Sequence, residues 1–219
     1  MIRHHPGDEF LLPLASGRLT PGQALVVAVH LERCADCRVR LHTLQALGGA
    51  LLDESEPLPI ATDAWSRTLE RIDAAPAAPA VLARAAPQPL LALPGDAQWP
   101  AGLRGCRVTR WRWMSPGRSF ARVTLPFDPG AALFLLRIGA GLSLPRHTHR
   151  GTELTQVLCG SFDDGRERFG PGDFDAADES VHHQPVVEPG AECVCLAYVG
   201  GSLRFDGRFA SLVGRWIGM

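Results

Sequence analysis

The sequence predicts a multidomain fold in which a small helical bundle precedes a β-sandwich or β-barrel. Apolar residues in the first third recur at helical spacing, whereas the last half consists of short β-branched or aromatic runs bounded by Gly, Pro and Asp. Between them, residues 74–100 are rich in alanine and proline and nearly free of charge. Such a segment buries little and is stiffened by proline, so we expect domains at 1–73 and 101–219 joined by a linker.

The N-terminal part carries start and stop signals for helices. The leucines of 11–14 suggest a short helix that stops near Gly17. Thr20, followed by proline, starts a second helix, because Thr caps free amides and Pro is tolerated at the first position. The run "CRVRLHTLQALGGALL" (37–52) predicts a third helix. Asp63 is expected to cap a further amphipathic helix whose apolar residues recur at i, i+4 and i+7.

The second half predicts strands and almost no helix. The clearest strands are "FLLRI" (134–138), "LTQVL" (154–158) and "ECVCLAYV" (192–199). Many short strands at regular spacing are typical of a sandwich or barrel. Cys193 and Cys195 share one face of the last strand, and we expect them in the core.

Composition excludes several classes of protein. The formal net charge of −1 over 219 residues gives no basic patch for direct nucleic-acid binding. No apolar run approaches the roughly 20 residues of a membrane span, and the N-terminus lacks a secretory signal. We therefore expect a cytoplasmic protein whose six cysteines are reduced thiols or metal ligands.

A first metal-ligand pattern lies in "HLERCADC", which places His30, Cys34 and Cys37 at i, i+4 and i+7. On one helix, or across a tight junction between two helices, these side chains converge. Imidazole and thiolate are the ligands that zinc prefers, and a structural zinc site is closed by four of them. A CxxC pair also occurs in redox motifs, but the histidines nearby favour zinc.

The fourth ligand of this site is not local. The nearest candidates are His4 and His5, and His42 is expected at the surface of the third helix. The stretches "IRHH", "HLERCADCR" and "LGGALLDE" together resemble the N-terminal domain of the ChrR-like zinc-binding anti-sigma factors. In that family an early His and a later His-x3-Cys-x2-Cys hold zinc in a small helical domain. The resemblance favours His5 as the early ligand, with His4 the alternative.

A second pattern lies in "GLSLPRHTHRGTELTQVLCG". Gly141, His147, His149, Glu153 and Gly160 occur at the spacing of the first cupin motif. Side chains two apart in a strand share a face, so both histidines and the glutamate are expected to point into a barrel. The glycines permit the tight turns that closely paired strands require.

The fourth ligand of the second site is expected from "DESVHHQP", where alternation lets only one of His182 and His183 face inward. Resemblance to the second cupin motif favours His183, although the usual Pro-x-Gly before the histidine is missing. Three His and one Glu suit zinc first, and otherwise iron, manganese, nickel or copper.

The ChrR-like family joins these two modules, a zinc domain followed by a cupin, which is a double-stranded β-helix or jelly-roll barrel. The resemblance implies an anti-sigma factor, not an enzyme, that sequesters an extracytoplasmic-function sigma factor. It implies release of the sigma factor on an oxidative signal, such as singlet oxygen or a peroxide, that involves the cupin. We expect the sigma-binding surface at 11–14 and on the second helix. The alternatives are a metal-dependent cupin enzyme, a dioxygenase or isomerase, and a zinc-dependent DNA-binding regulator.

Overall fold

The computed structural model describes residues 1–75, 91–95 and 97–206. Helices fill the N-terminal part, in the predicted order: α1 (Asp8–Ala15), α2 (Pro21–Arg33), α3 (Ala35–Asp53) and α4 (Ala64–Ala74). After a 3-10 turn (Ala101–Gly105), the strands are β1 (Arg107–Val108), β2 (Arg112–Ser115), β3 (Arg118–Thr124), β4 (Leu133–Ile138), β5 (His147–Arg150), β6 (Glu153–Cys159), β7 (Phe162–Asp163), β8 (Arg168–Phe169), β9 (Phe174–Ala177), β10 (His182–His183), β11 (Val186–Val187), β12 (Cys193–Val199) and β13 (Ser202–Phe205). Among the helices of the described residues, none combines the length and apolar composition that a membrane crossing requires.

The helix boundaries follow the signals in the sequence. Thr20 forms a capping box with Gln23, in which each side chain accepts from the backbone amide of the other residue. Gly17, with φ of 67°, ends the turn after α1. Asp63 precedes α4 as predicted, but its side chain forms no cap hydrogen bond.

The strands form one large antiparallel sheet in the order β1-β3-β4-β12-β6-β9, with β2 paired to β3. Two small sheets, β10-β5-β13 and β11-β7-β8, complete the barrel. Apolar side chains from β4, β6 and β12 pack against those of β7, β8 and β11 and form an interior core. The predicted barrel is therefore confirmed, and Cys193 and Cys195 are buried in that core.

The central strand β12 is buried on both faces. Cys193 and Cys195 face the barrel interior, whereas Val194 and Leu196 face outward into a second core. A strand covered on both sides has no reason to alternate apolar and polar residues. This explains the continuous apolar run that the sequence shows here.

Helices α1 and α2 cover the outer face of the large sheet. The apolar side chains of α2 share one core with those of β6 and β12, among them Leu25, Val26, Val29, Leu154, Leu158 and Leu196. The helical part and the barrel are thus packed together rather than only tethered. Residues 76–90 and 96 of the predicted linker lie outside the described residues, and Leu91, Leu93 and Trp99 pack against this shared core. The domain boundaries themselves stay predictions.

The surface expected to bind a partner is largely buried. Leu11 of α1 is inaccessible, and α2 turns its apolar residues toward the sheet. Of residues 11–14, Leu12 is exposed and Pro13 and Leu14 are half-buried, so the expected sigma-binding surface stays a prediction. Many of the other exposed apolar residues lie on α3 and α4: in α4 no residue is buried, and in α3 only Cys37 is.

Candidate metal centres

The first cluster of metal-ligand side chains forms where α2 meets α3. His30 ends the buried face of α2, Cys34 lies at the junction, and Cys37 lies in the first turn of α3. His5 comes from the N-terminal segment, and its Nδ1 lies 3.3 Å from each of the two Sγ atoms. One ligand atom from each of the four residues lies within 4.8 Å of the others. The structure thus brings together the four residues predicted as ligands.

Contacts with the barrel decide which N-terminal histidine joins the cluster. The backbone amides of Arg3 and His4 donate to Asp173 Oδ1 at 2.6 and 3.1 Å, and the amide of Phe174 donates to the His4 carbonyl at 3.1 Å. The His4 ring turns away, packs on Phe169 and bonds the Arg168 carbonyl at 3.1 Å. His5 is thereby directed at the cysteines.

The remaining candidate, His42, is exposed on α3 and lies outside the cluster. This agrees with its expected place at the surface.

The first cluster has the character of a zinc site. His30 is fully buried and its Nε2 has no hydrogen-bond partner. Burial and the neighbouring Cys34 raise the pKa of Cys37, so the Cys37 thiol stays neutral unless a cation is present. A divalent cation removes this penalty because it stabilises thiolates directly. Two thiolates and two imidazoles fit zinc in a closed tetrahedral site.

The second cluster lies inside the barrel. His147 and His149 come from β5, Glu153 from β6 and His183 from β10, and all four side chains are buried. Glu153 Oε2 lies 2.5 Å from Nε2 of His149 and 3.7 and 3.8 Å from Nε2 of His147 and His183. The neighbouring His182 is exposed and pairs with Asp206 at 3.0 Å. Of the two alternatives, it is His183 that faces inward.

The two histidines from β5 are held in the same way. His147 Nδ1 bonds the Pro145 carbonyl at 2.8 Å, and His149 Nδ1 bonds the Asp178 carbonyl at 3.3 Å. With Nδ1 so engaged, Nε2 of each ring faces the centre, where Glu153 Oε2 lies. Three imidazoles that converge on one buried carboxylate are an arrangement that can hold a metal ion.

A tight turn at the end of β6 opposite Glu153 explains one of the two motif glycines. Gly160 follows β6 with φ of 70°, and a Cβ there would lie 2.3 Å from the carbonyl oxygen of Glu192. Any larger residue would therefore clash with the backbone at the start of β12.

No sequence pattern points to the acidic residues behind His183. Asp164 is inaccessible and lies 3.3 Å from His183 Nδ1, and Arg166 bridges Asp164 to Asp175 at 2.9 Å. Burial acts to raise the pKa of Asp164, but bonds from His183 and Arg166 hold it below its usual range. Asp164 and Asp175 lie in a turn and beyond it, and no periodic spacing relates them to His183. Only the fold therefore shows that they lie behind it. The Arg166 guanidinium pairs with both carboxylates.

Proton competition at His183 gives a testable pH dependence. Burial acts to lower the pKa of His183, but Asp164 and Glu153 raise it to about 9. A metal ion must therefore displace a proton at neutral pH. We expect the affinity of the barrel cluster for Zn²⁺ to rise about tenfold per pH unit up to about pH 9 and then to level off.

The measurement is a competition with a chromophoric chelator at several pH values, in a Cys34→Ser/Cys37→Ser background that leaves only the barrel cluster. Asp164→Asn serves as the control, because without the carboxylate the proton is held less tightly and the dependence flattens. An affinity that does not change between pH 7 and 9 would contradict the assignment.

A small cavity of about 40 Å³ borders the barrel cluster. It touches His147, Glu153 and His183 on one side and the thiols of Cys193 and Cys195 on the other. Substrate pockets are usually about 300–1,000 Å³, whereas a water needs only about 10–15 Å³. The cavity therefore admits water- or dioxygen-sized molecules and no ordinary organic substrate.

The fold and the two clusters define a cupin protein with an N-terminal helical metal module. The profile of the ChrR cupin-like domain family matches residues 103–202. The chain is 38% identical over 215 residues to the anti-sigma-E factor ChrR of Cereibacter sphaeroides, covering 97% of this chain and 96% of that protein. It also resembles a chain in the crystal structure of Rhodobacter sphaeroides SigE in complex with the anti-sigma ChrR, with a TM-score of 0.69 at 37% identity, over 91% of this chain and 100% of that one.

The chain therefore belongs to the ChrR-like family of anti-sigma factors. This confirms the resemblance drawn from the motifs. It also confirms the expectation of a regulator rather than an enzyme, since the similarity to the anti-sigma factor covers almost the whole length of both chains.

Proposed function

We propose that this chain sequesters an extracytoplasmic-function sigma factor through α3 and α4 and so keeps it from RNA polymerase. The observation that carries the proposal is the apolar surface of these helices. It is formed by side chains between 41% and 73% exposed: Val39, Leu47, Leu51, Leu52, Trp65, Leu69 and Ile72. Leu58 and Ile60, between the two helices, are exposed as well. Exposed apolar surface of this kind is typical of a protein-binding site.

The related ChrR chain supports a sigma factor as the occupant of this surface. That chain is in complex with SigE, and the similarity covers 91% of the present chain. Binding to a sigma factor would cover the apolar helices. Since sigma factors act with RNA polymerase, the proposal places the chain in the cytoplasm.

The metals are assigned from the ligand sets. We propose zinc at His5, His30, Cys34 and Cys37, because this closed set of thiolates and imidazoles suits a structural ion. When bound, the ion would hold the N-terminal segment, α2 and α3 together, and thus fix the base of the partner-binding helices.

In the barrel we propose a divalent metal at His147, His149, Glu153 and His183, with zinc as the first choice and iron, manganese, nickel or copper as the alternatives.

Release of the sigma factor is proposed to begin at the barrel cluster. Its small cavity admits a molecule the size of dioxygen or peroxide, consistent with an oxidative signal. The barrel and α2 share one core, so a change at the cluster has a direct path of packed side chains to the helices. The competing route is direct oxidation of Cys34 and Cys37.

Variants that each replace one ligand of the barrel cluster test whether the barrel is needed for release of the sigma factor but not for its binding. We expect Glu153→Ala and His147→Ala to bind the sigma factor within about twofold of wild type, because neither residue lies near α3 or α4. Both should fail to release it after oxidant treatment. The measurement is the fraction of sigma factor that remains bound in gel filtration before and after exposure to singlet oxygen or hydrogen peroxide.

Point variants suit this test better than deletion of the barrel, which would expose the apolar residues of α2. His182→Ala is the matched control, since this exposed histidine adjoins the cluster without joining it. Normal release by Glu153→Ala would exclude the barrel as the sensor. Zinc captured by a chromogenic chelator before the sigma factor dissociates would favour direct oxidation of the cysteines.

A further inference from the structure

We infer that Gln156, a residue of barrel strand β6, is a positioning residue for the zinc ligand His30, so that the N-terminal metal site is completed by the barrel. The inference rests on the proposed role of His30 as a zinc ligand. Gln156 Oε1 lies 3.1 Å from His30 Nδ1, and both side chains are fully buried. The two residues are 126 positions apart in the chain.

The orientation of the Gln156 amide is determined by its second contact. Its Nε2 donates to the carbonyl of Val157 at 3.2 Å, which leaves Oε1 as the atom that faces His30. A carbonyl oxygen only accepts, so the proton of the His30 ring must lie on Nδ1. The lone pair then lies on Nε2, the atom without a hydrogen-bond partner. Gln156 thus selects the tautomer that zinc requires and fixes the plane of the ring.

The same two strands contact both clusters. β6 carries Glu153 into the barrel interior and Gln156 toward the helices. In β9, Phe174 pairs in register with Gln156, and its ring lies 5.9 Å from that of His30. A shift of β6 caused by an oxidative change at the barrel cluster would therefore move the group that orients His30. This gives the barrel a physical means of weakening the N-terminal site from a distance.

Cobalt substitution isolates the N-terminal site in the intact protein. Of the clusters that the described residues form, only this one contains cysteines, so sulfur-to-cobalt charge-transfer bands report it alone, and zinc titrated against those bands gives its affinity. We expect Gln156→Met, which keeps the length but cannot accept from Nδ1, to bind zinc there about 10–100-fold more weakly than wild type. We expect Gln156→Glu to restore the affinity, because a carboxylate also accepts this hydrogen bond.

Arg33→Met is the matched control. It removes a 3.1 Å hydrogen bond from α2 to the Leu158 carbonyl, on the same strand, without touching a ligand. Its zinc affinity should stay within about twofold of wild type. Zinc content of the barrel cluster, measured in parallel, shows that each variant keeps its fold.

The outcomes separate the inference from the proposed function. Wild-type protein without sulfur-to-cobalt bands would overturn the zinc assignment itself. Normal bands in wild type together with unchanged zinc affinity in Gln156→Met would overturn the role of Gln156. Equal losses in Gln156→Met, Gln156→Glu and Arg33→Met would show that only docking of the helices matters, and would overturn it as well.

Discussion

Replacing Cys34 and Cys37 together with serine is expected to abolish sigma-factor binding. The two thiolates are half of the N-terminal ligand set, and both lie at the junction that sets the direction of α3. Apparent zinc-binding free energies of small structural sites are about 10–16 kcal/mol at neutral pH, and this free energy is folding free energy. Without bound zinc the first turn of α3 is held less firmly against α2, because Cys37 is the one buried residue of α3. We expect affinity to fall by at least about 100-fold, which is about 2.7 kcal/mol.

Two measurements check this result. Metal analysis should give two equivalents for wild type with both clusters filled, and one for the variant. Binding to the purified sigma factor is measured by calorimetry. Cys106→Ser is the matched control, because this half-buried cysteine belongs to neither cluster. If the double variant holds one metal per chain and still binds the sigma factor, the N-terminal metal is not needed for sigma binding.

The second large effect is expected on α4. Trp65 and Leu69 lie one turn apart on the same face, 73% and 41% exposed. Large aromatic side chains that become buried in an interface commonly contribute 2 kcal/mol or more. We expect Trp65→Ala to weaken sigma binding by about 30-fold and Trp65→Ala/Leu69→Ala by more. The unfolding temperature of the free protein should not change, because neither side chain is buried there.

Arg67→Ala on the same helix is the control for this series. Its guanidinium is exposed and lies 3.8 Å from Asp63, an ion pair that contributes little. It should bind within about twofold of wild type. Equal loss from Arg67→Ala and Trp65→Ala would contradict a contact made by the apolar face.

Local chemistry made the elements predictable. The capping pair at Thr20, the stop at Gly17 and the apolar run of β12 all act within a few residues of the feature that they specify. The closely spaced ligands were predictable for the same reason. His30, Cys34 and Cys37 converge by helical spacing, and His147, His149 and Glu153 by strand alternation and a short turn.

The distant ligands required either a resemblance or the fold. Nothing local distinguishes His5 from His4. The distinction comes from Asp173 and Phe169, which hold the segment from more than 160 positions away. His183 likewise owes its inward direction to its pairing with His147, opposite it on β5.

The docking of the helices on the barrel is not predicted above, although the sequence contains a sign of it. The stretch 25–29 of α2 is apolar all round, and β4 and β12 are apolar on both faces. Both features require a second layer that covers them. The shared core and the contact from Gln156 to His30 depend on packing between residues far apart in the chain, which no local pattern specifies.

The most direct test of the account is an affinity pull-down of the tagged chain from an extract of its own host, with mass spectrometry of the co-eluting proteins. Wild type is compared with Cys34→Ser/Cys37→Ser and Trp65→Ala. The account predicts an extracytoplasmic-function sigma factor with wild type and its loss from both variants. Wild type from unstressed cells that captures no sigma factor, or variants that capture it equally well, would contradict the proposed function.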